Sequence, residues 1–342
     1  MPIPATASHD HARVVRIGSG APLGADRAGG KGASLDRLMR LGWAVPPGVC
    51  ITADSFRDQL AAVARRFPLS ELLAALPAPE ARAAIVAAFD ATPTVPALRA
   101  AIDAGVAALV CDLNALIGDP GSDPGSDPGS VDGDLTNGGP ASFAVRSSAL
   151  DEDGAAASFA GLHETELGRT ADEVEPAVRR CWASLWSVPA LSYRSRRGLP
   201  VGELAMAVVV QALVPAETSA VVFTRHPVGG RDDRILLTAI RGLGEPMVSG
   251  EATPDTIEVD RASRTVIERV PGRAGTRQFV EAGRIVERAD AVASPVLSGD
   301  VLAELIDLAL AVEAAAGHPV DIEAARAGAT WFLLQSRPIT TT

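Results

Sequence analysis

Lysine is nearly missing from this 342-residue chain: it occurs once, at Lys31, and arginine supplies the rest of the 31 basic side chains. Acidic residues number 42, for a formal charge of −11, which argues against a protein that grips nucleic acid through a broad basic surface. Cysteine is scarce too. Cys50, Cys111 and Cys181 stand far apart in apolar or helical surroundings, which speaks against a disulfide or zinc framework and suits buried free thiols in a reducing cytoplasm. No apolar run of about 18 residues occurs, so no membrane span is expected. The opening stretch MPIPATASHDHARVV lacks the charged-then-apolar pattern of a signal peptide. Neither G-x-G-x-x-G between strand and helix nor G-x-x-x-x-G-K-[ST] is found. Apolar residues, in contrast, make up 47%, ample for the core of one large two-part unit or of two domains.

The order of patterns reads as α+β. A loop or strand, the Gly-rich DRAGGKGASL turn, a helix and a strand around VPPGVCIT fill the chain to about residue 53. Residues 55–117 are Ala- and Leu-rich with helical spacing, broken at Pro68, Pro77, Pro93 and Pro96. A DPGS repeat across about 119–138 has too much Gly, Pro and Asp to pack, and is expected to be a disordered surface loop. Two strands around VRSS and ETELG follow, then helix from about 171 to 197. Alternating strands through AMAVVVQA and SAVVFT come next, then a strand and tight turn in RILLTAIRGLGE and a hairpin in DTIEVDRASRTVIERV. An amphipathic helix, DVLAELIDLALAVEAAAG, precedes a closing hairpin ending in LLQSRPIT.

Polar residues set into apolar strands carry the functional reading. Lys31 lies between glycines, which let backbone approach a ligand closely, ahead of a helix whose N-terminus suits an anion. A lysine offers a compact charge on a flexible stem where a guanidinium is planar and forked, so a single retained lysine points to contact with one phosphate oxygen; the plainer reading is an exposed lysine in a turn. Arg146, inside FAVRSSA, needs an anionic partner: a phosphate, or structurally Asp151 or Glu152. Gln211 closes the run VVVQ and could read an adenine edge, or simply bond backbone at a strand end. Glu323 and Gln335 fall on successive strands of the closing hairpin, where a carboxylate and an amide oxygen on one side suit Mg²⁺ held together with nucleotide phosphates. Arg337 shares the face of Gln335 and could hold a terminal phosphate; the structural alternative is a salt bridge between Glu323 and Arg337.

These motifs stand in an order that resembles a known family. GGKGASL, VRSSA with ED, SFAG and ET behind it, VVVQ with SAVVFT, GLGE with MVSG and PD, and DIE with LLQSRPIT are similar to the ATP-binding domain of phosphoenolpyruvate synthase, pyruvate phosphate dikinase and rifampin phosphotransferase, from about Arg13 to Thr340. The resemblance implies a two-lobed ATP-grasp-type fold, taken as lobes of residues 1–200 and 201–342. It implies ATP and Mg²⁺ as cofactors. Lys31, Arg146 and Arg337 match catalytic phosphate-binding positions, Gly161 and Thr165 the loop over the nucleotide, Gln211 a position near the adenine, and Glu323 with Gln335 the metal pair. DEDGAAASFAGLHET departs from the family pattern, as does DIEAA where relatives often read DIEWA, and the DPGS loop is an insertion.

In that family ATP is cleaved to AMP and phosphate, with the β-phosphoryl group passed to a histidine on a swivelling domain and then to a small molecule. None of His9, His11, His163, His226 and His318 has the Gly-rich setting of that histidine. The expected protein is therefore the ATP half of a split dikinase, cytoplasmic, with a separate phosphohistidine protein and a small-molecule acceptor as partners, and neither nucleic acid nor membrane. Direct phosphorylation or ligation of a small molecule by an ATP-grasp enzyme is the alternative; non-catalytic nucleotide binding is the third.

Overall fold

The computed structural model describes residues 12–116, 140–150, 165–197, 204–228, 231, 233–290 and 295–339. The DPGS repeat and Gly161 lie outside the described residues. Two antiparallel sheets organise the rest, one of five strands and one of six, with a separate two-stranded ribbon.

The five-stranded sheet takes β1 (Val14–Arg16), β2 (Gly48–Ile51), β3 (Phe143–Ala149), β4 (Thr165–Arg169) and β5 (Met206–Ala212), in the order β1-β2-β5-β3-β4. β5 is central and wholly buried, which is why MAVVVQA reads as an apolar run rather than an alternation. Its two faces nevertheless differ. Val208 and Val210 pack beneath a helical layer, whereas Ala207 and Val209 join a second core. The helical layer comprises α2 (Ala53–Ala64), α3 (Leu69–Ala74), α4 (Pro79–Ala91), α5 (Pro96–Leu116), α6 (Val174–Ala183) and α7 (Val188–Arg197). Phe56, Phe89, Trp182 and Trp186 mesh inside it, the Phe89 and Trp186 rings 4.9 Å apart. Met206–Ala212 lies beyond residue 200, so this sheet crosses the lobe division read from sequence.

On the opposite face of the sheet lies α1 (Ala25–Arg40). GGKG is therefore not a turn ahead of a helix, as expected, but part of the helix itself. The helix starts at Ala25 and is broken internally at Gly29, where φ is +65° and ψ 174°. Buried Asp36 locks α1 to the preceding turn. It accepts the Gly18 and Leu23 N–H groups at 2.8 and 3.0 Å and Arg40 Nε at 2.7 Å.

The six-stranded sheet runs β13-β12-β6-β7-β8-β9, from β6 (Thr218–Phe223), β7 (Arg234–Arg241), β8 (Asp255–Asp260), β9 (Val266–Val270), β12 (Val320–Ala327) and β13 (Thr330–Pro338). Ile322, Ala324 and Leu333 share the core with α9 (Gly299–Ala316). The ribbon β10 (Gly275–Glu281) and β11 (Arg284–Asp290) was not read from sequence. Ala282 and Gly283 turn it with φ of +46° and +72°, a geometry Asn-Gly usually signals. The mixture of elements bears out the α+β class. Of the cysteines, Cys50 and Cys181 are buried, but Cys111 is exposed, because it sits on the outer side of α5. Among the described residues no single helix is long and apolar enough to cross a membrane.

Candidate functional site

Between the two sheets lies a cavity of about 480 Å³, within the usual size of small-molecule pockets. Lys31, Arg146, Thr165, Gln211, Glu323, Gln335 and Arg337 all line it. Seven of the eight positions singled out in the sequence thus converge from five strands and one helix, across more than 300 residues of chain.

Strand register explains the convergence. Gln211 lies opposite Ala144 on β3, and Arg146 follows two residues on, opposite Thr165 of β4. In the other sheet Glu323 lies opposite Gln335 of β13 on one side and Val221 of β6 on the other. Asp321 lies opposite Arg337. Because alternate residues share a face, Asp321 and Glu323 point the same way while Ile322 enters the core. From Ala325 to the level of Arg337, which lies opposite Asp321, the wall extends ~13 Å at the rise of a strand. Its first end is apolar, with Leu213, Val214, Leu243 and Met247 alongside; the other carries Glu323, Gln335 and Arg337.

The GLGE stretch closes the apolar end. Ser219 of β6 donates to the Gly242 carbonyl at 2.7 Å, and the Leu243 N–H donates to the Gln278 carbonyl of β10 at 2.7 Å. Gly242 has φ +77°, and a Cβ there would collide with that same Gln278 carbonyl, so only glycine fits. The one-turn helix α8 (Glu245–Val248) follows. Burial, and then the nearby Glu251 carboxylate, push Glu245 above the ordinary carboxylate range. Gln211 is buried, and its Nε2 donates to the Pro46 carbonyl at 3.3 Å.

At the polar end two arginines take carboxylate partners from β12. Arg146, whose alternative partners Asp151 and Glu152 lie outside the described residues, reaches across to β12 and β13. Its Nη2 donates to Glu323 Oε2 at 2.8 Å and to Gln335 Oε1 at 3.2 Å, and its Nη1 donates to the Leu334 carbonyl at 2.9 Å. Arg337 meets Asp321 at 2.6 Å rather than Glu323, because the hairpin register sets those two opposite each other. Asp321 was overlooked in the sequence, although its i, i+2 spacing to Glu323 in DIE marks a second carboxylate on one face. Burial raises its pKa, against the opposing pull of Arg337, and the Glu323 charge adds to the rise. Among the described residues its Oδ1 has no hydrogen-bond partner.

The donor set fits a hard divalent cation. Glu323 and Gln335 present a carboxylate and an amide oxygen side by side, in contact with a cationic group already, and the unpartnered buried oxygen of Asp321 is on the same face. Oxygen ligands without thiolate or imidazole suit Mg²⁺ rather than zinc or copper.

Two antiparallel sheets enclosing a cleft with three cationic side chains, a carboxylate–amide pair and an apolar end define a phosphate-handling, nucleotide-sized site. The family model for the pyruvate phosphate dikinase AMP/ATP-binding domain matches residues 131–342, and the chain belongs to that family. A probable phosphoenolpyruvate synthase of Methanocaldococcus jannaschii is 34% identical over 322 residues, 92% of this chain and 26% of the relative. Rifampicin phosphotransferase of a Streptomyces species is 34% identical over 330 residues, 93% and 35% of the two chains. The prodigiosin synthesizing transferase PigC of Serratia marcescens is 34% identical over 342 residues, 96% and 33%. The chain spans roughly a quarter to under half the length of the curated relatives it matches.

Proposed function

We propose that this chain binds Mg-ATP between two lobes of an ATP-grasp-type fold, one built on each sheet, and serves as the ATP-cleaving part of a dikinase-type phosphotransferase. The observation that carries the reading is the convergence of Lys31, Arg146 and Arg337 with Glu323 and Gln335 in one cleft, which also has an apolar end.

Adenine takes the apolar end. Because the Gln211 amide nitrogen is committed to the Pro46 carbonyl, its oxygen is the atom left to accept from the adenine amine. The triphosphate then runs along β12 and β13 toward Arg337. Lys31 and Arg146 neutralise phosphate charge from the α1 and β3 side, and Arg337 holds the terminal group. Glu323 and Gln335 would hold Mg²⁺, which supplies charge neutralisation across the phosphates. Such chemistry is mostly positioning and electrostatics, and this wall is rigid because its side chains stand on paired strands. Arg146 must release Glu323 to reach phosphate, so it exchanges one anion for another.

The acceptor of the β-phosphoryl group is a histidine that attacks the β-phosphorus and expels AMP, after which water releases the terminal phosphate as inorganic phosphate. Among the described residues no histidine lines the pocket; His226 and His318 bond their own neighbouring backbone. That supports a histidine brought in on a separate swivelling domain, which then serves a small-molecule acceptor, as the names of the rifampicin and phosphoenolpyruvate relatives suggest. Calorimetric titration with ATP tests the site: binding in Mg²⁺ should be at least tenfold tighter than in excess chelator. Equal affinity in both would contradict the Glu323–Gln335 assignment.

A further inference from the structure

Ser148 is fully buried on β3, two residues beyond Arg146 and on the same face of the strand. Its hydroxyl does something unusual to a helix 116 residues earlier. It accepts the Gly32 N–H at 3.1 Å and donates to the Ala28 carbonyl at 2.7 Å. Gly32 and Ala28 are the donor and acceptor that an uninterrupted α-helix would join directly, i to i−4. The serine hydroxyl is spliced into that link, and the residues it spans include Lys31.

The backbone is shaped for this splice. Gly29 breaks the helical conformation, and a Cβ there would collide with the Ser148 carbonyl oxygen and hydroxyl. Only glycine allows α1 to lie this close to β3. Further along α1, the Ser34 hydroxyl donates to the Ser336 carbonyl of β13 at 2.6 Å, between Gln335 and Arg337. Lys31 therefore stands between two hydroxyl anchors, one to the strand that carries Arg146 and one to the strand that carries Arg337.

We propose that Ser148 is the positioning residue for Lys31: by opening α1 between Ala28 and Gly32 it sets the lysine at the same phosphate subsite as Arg146. The inference rests on the reading of the cleft as a nucleotide triphosphate site. Without the hydroxyl, Gly32 N–H and Ala28 C=O either close on each other, rotating Lys31 away from the cleft, or stay unpaired in a buried place.

The test compares Mg-ATP and adenosine, which lacks every phosphate, by equilibrium binding to the parent, Ser148→Ala, Lys31→Met and the double variant. Ser148→Ala should weaken Mg-ATP about five- to twentyfold and leave adenosine within twofold. In the Lys31→Met background the serine change should add less than twofold, because its effect passes through the lysine. Ser148→Cys keeps the shape with a poor hydrogen-bonding group, and serves if the alanine variant does not fold; it should show the same selective loss. Equal losses for ATP and adenosine, full additivity with Lys31→Met, or no loss in either serine variant would overturn the positioning role while leaving the ATP site standing. If Lys31→Met itself binds Mg-ATP like the parent, the phosphate role of the lysine fails and the inference falls with it.

Discussion

Replacing Arg146 by methionine should tighten the binding of a bare divalent cation while it weakens that of the nucleotide. The guanidinium occupies the oxygens assigned to the metal: Glu323 Oε2 at 2.8 Å and Gln335 Oε1 at 3.2 Å. Both side chains of the ion pair are largely shielded, at 13% and 22% exposure, so the contact is more than a solvated surface pair. A charge-assisted hydrogen bond of this kind is worth about 1.5–3 kcal/mol. A cation entering without nucleotide must displace it, whereas methionine fills the same space without competing. At 1.4 kcal/mol per decade, the Kd for bare Mn²⁺ should fall about ten- to a hundredfold in Arg146→Met. Electron paramagnetic resonance titration of free Mn²⁺, without nucleotide, reads this directly. Adding Glu323→Gln to the same protein should abolish the gain. An Mn²⁺ affinity in Arg146→Met equal to or weaker than that of the parent would refute the view that arginine and metal share one pair of oxygens.

Lys31→Arg keeps the charge but exchanges a point ammonium for a wider fork on a crowded, glycine-flanked backbone; Mg-ATP binding should weaken by about 1–2 kcal/mol, five- to thirtyfold in Kd, and parent-like calorimetric affinity would remove the argument from the lone lysine. Asp36→Asn should lower stability by about 1–3 kcal/mol at pH 7. Burial raises the Asp36 pKa, but hydrogen bonds from Arg40, Leu23 and Gly18 outweigh it and hold the carboxyl below its ordinary value. Its contribution is therefore present above the unfolded carboxylate range near ~4 and is lost as pH falls through the folded pKa. Urea denaturation should show the gap between parent and variant closing in acid, and a gap constant with pH would contradict the sign.

Much of the site was legible because strand alternation and hairpin pairing are local rules. Glu323 and Gln335 were placed on facing strands from the spacing of two apolar runs, and the register sets them directly opposite. Arg146, Gln211 and Lys31 stood out as polar residues in apolar or glycine-rich settings, and all three reach the cleft. What stayed hidden depends on contacts between distant segments. Nothing around Ser148 indicates that its hydroxyl would enter a helix formed by residues 25–40. Gly29 looked like part of a turn because glycine pairs usually mark one, whereas its role is to admit β3. The β10–β11 ribbon escaped notice because only Arg277 and Val280 of its strands are buried and its turn carries alanine in place of asparagine. Asp321 was passed over beside its more familiar neighbour, and only the fold shows that Arg337 pairs with it.

Under the proposed function, this cleft delivers the β-phosphoryl group of ATP to a histidine outside it. The most direct measurement follows ATP carrying label in the β position, incubated with Mg²⁺ and the chain, alone and with a phosphohistidine domain from the same family plus its acceptor. Alone, the chain should turn over ATP slowly at most. With the domain and acceptor present, AMP and inorganic phosphate should form and the β label should appear on the histidine and then on the acceptor. Rapid release of ADP by the chain alone, with a small-molecule alcohol and no histidine domain, would contradict the claim.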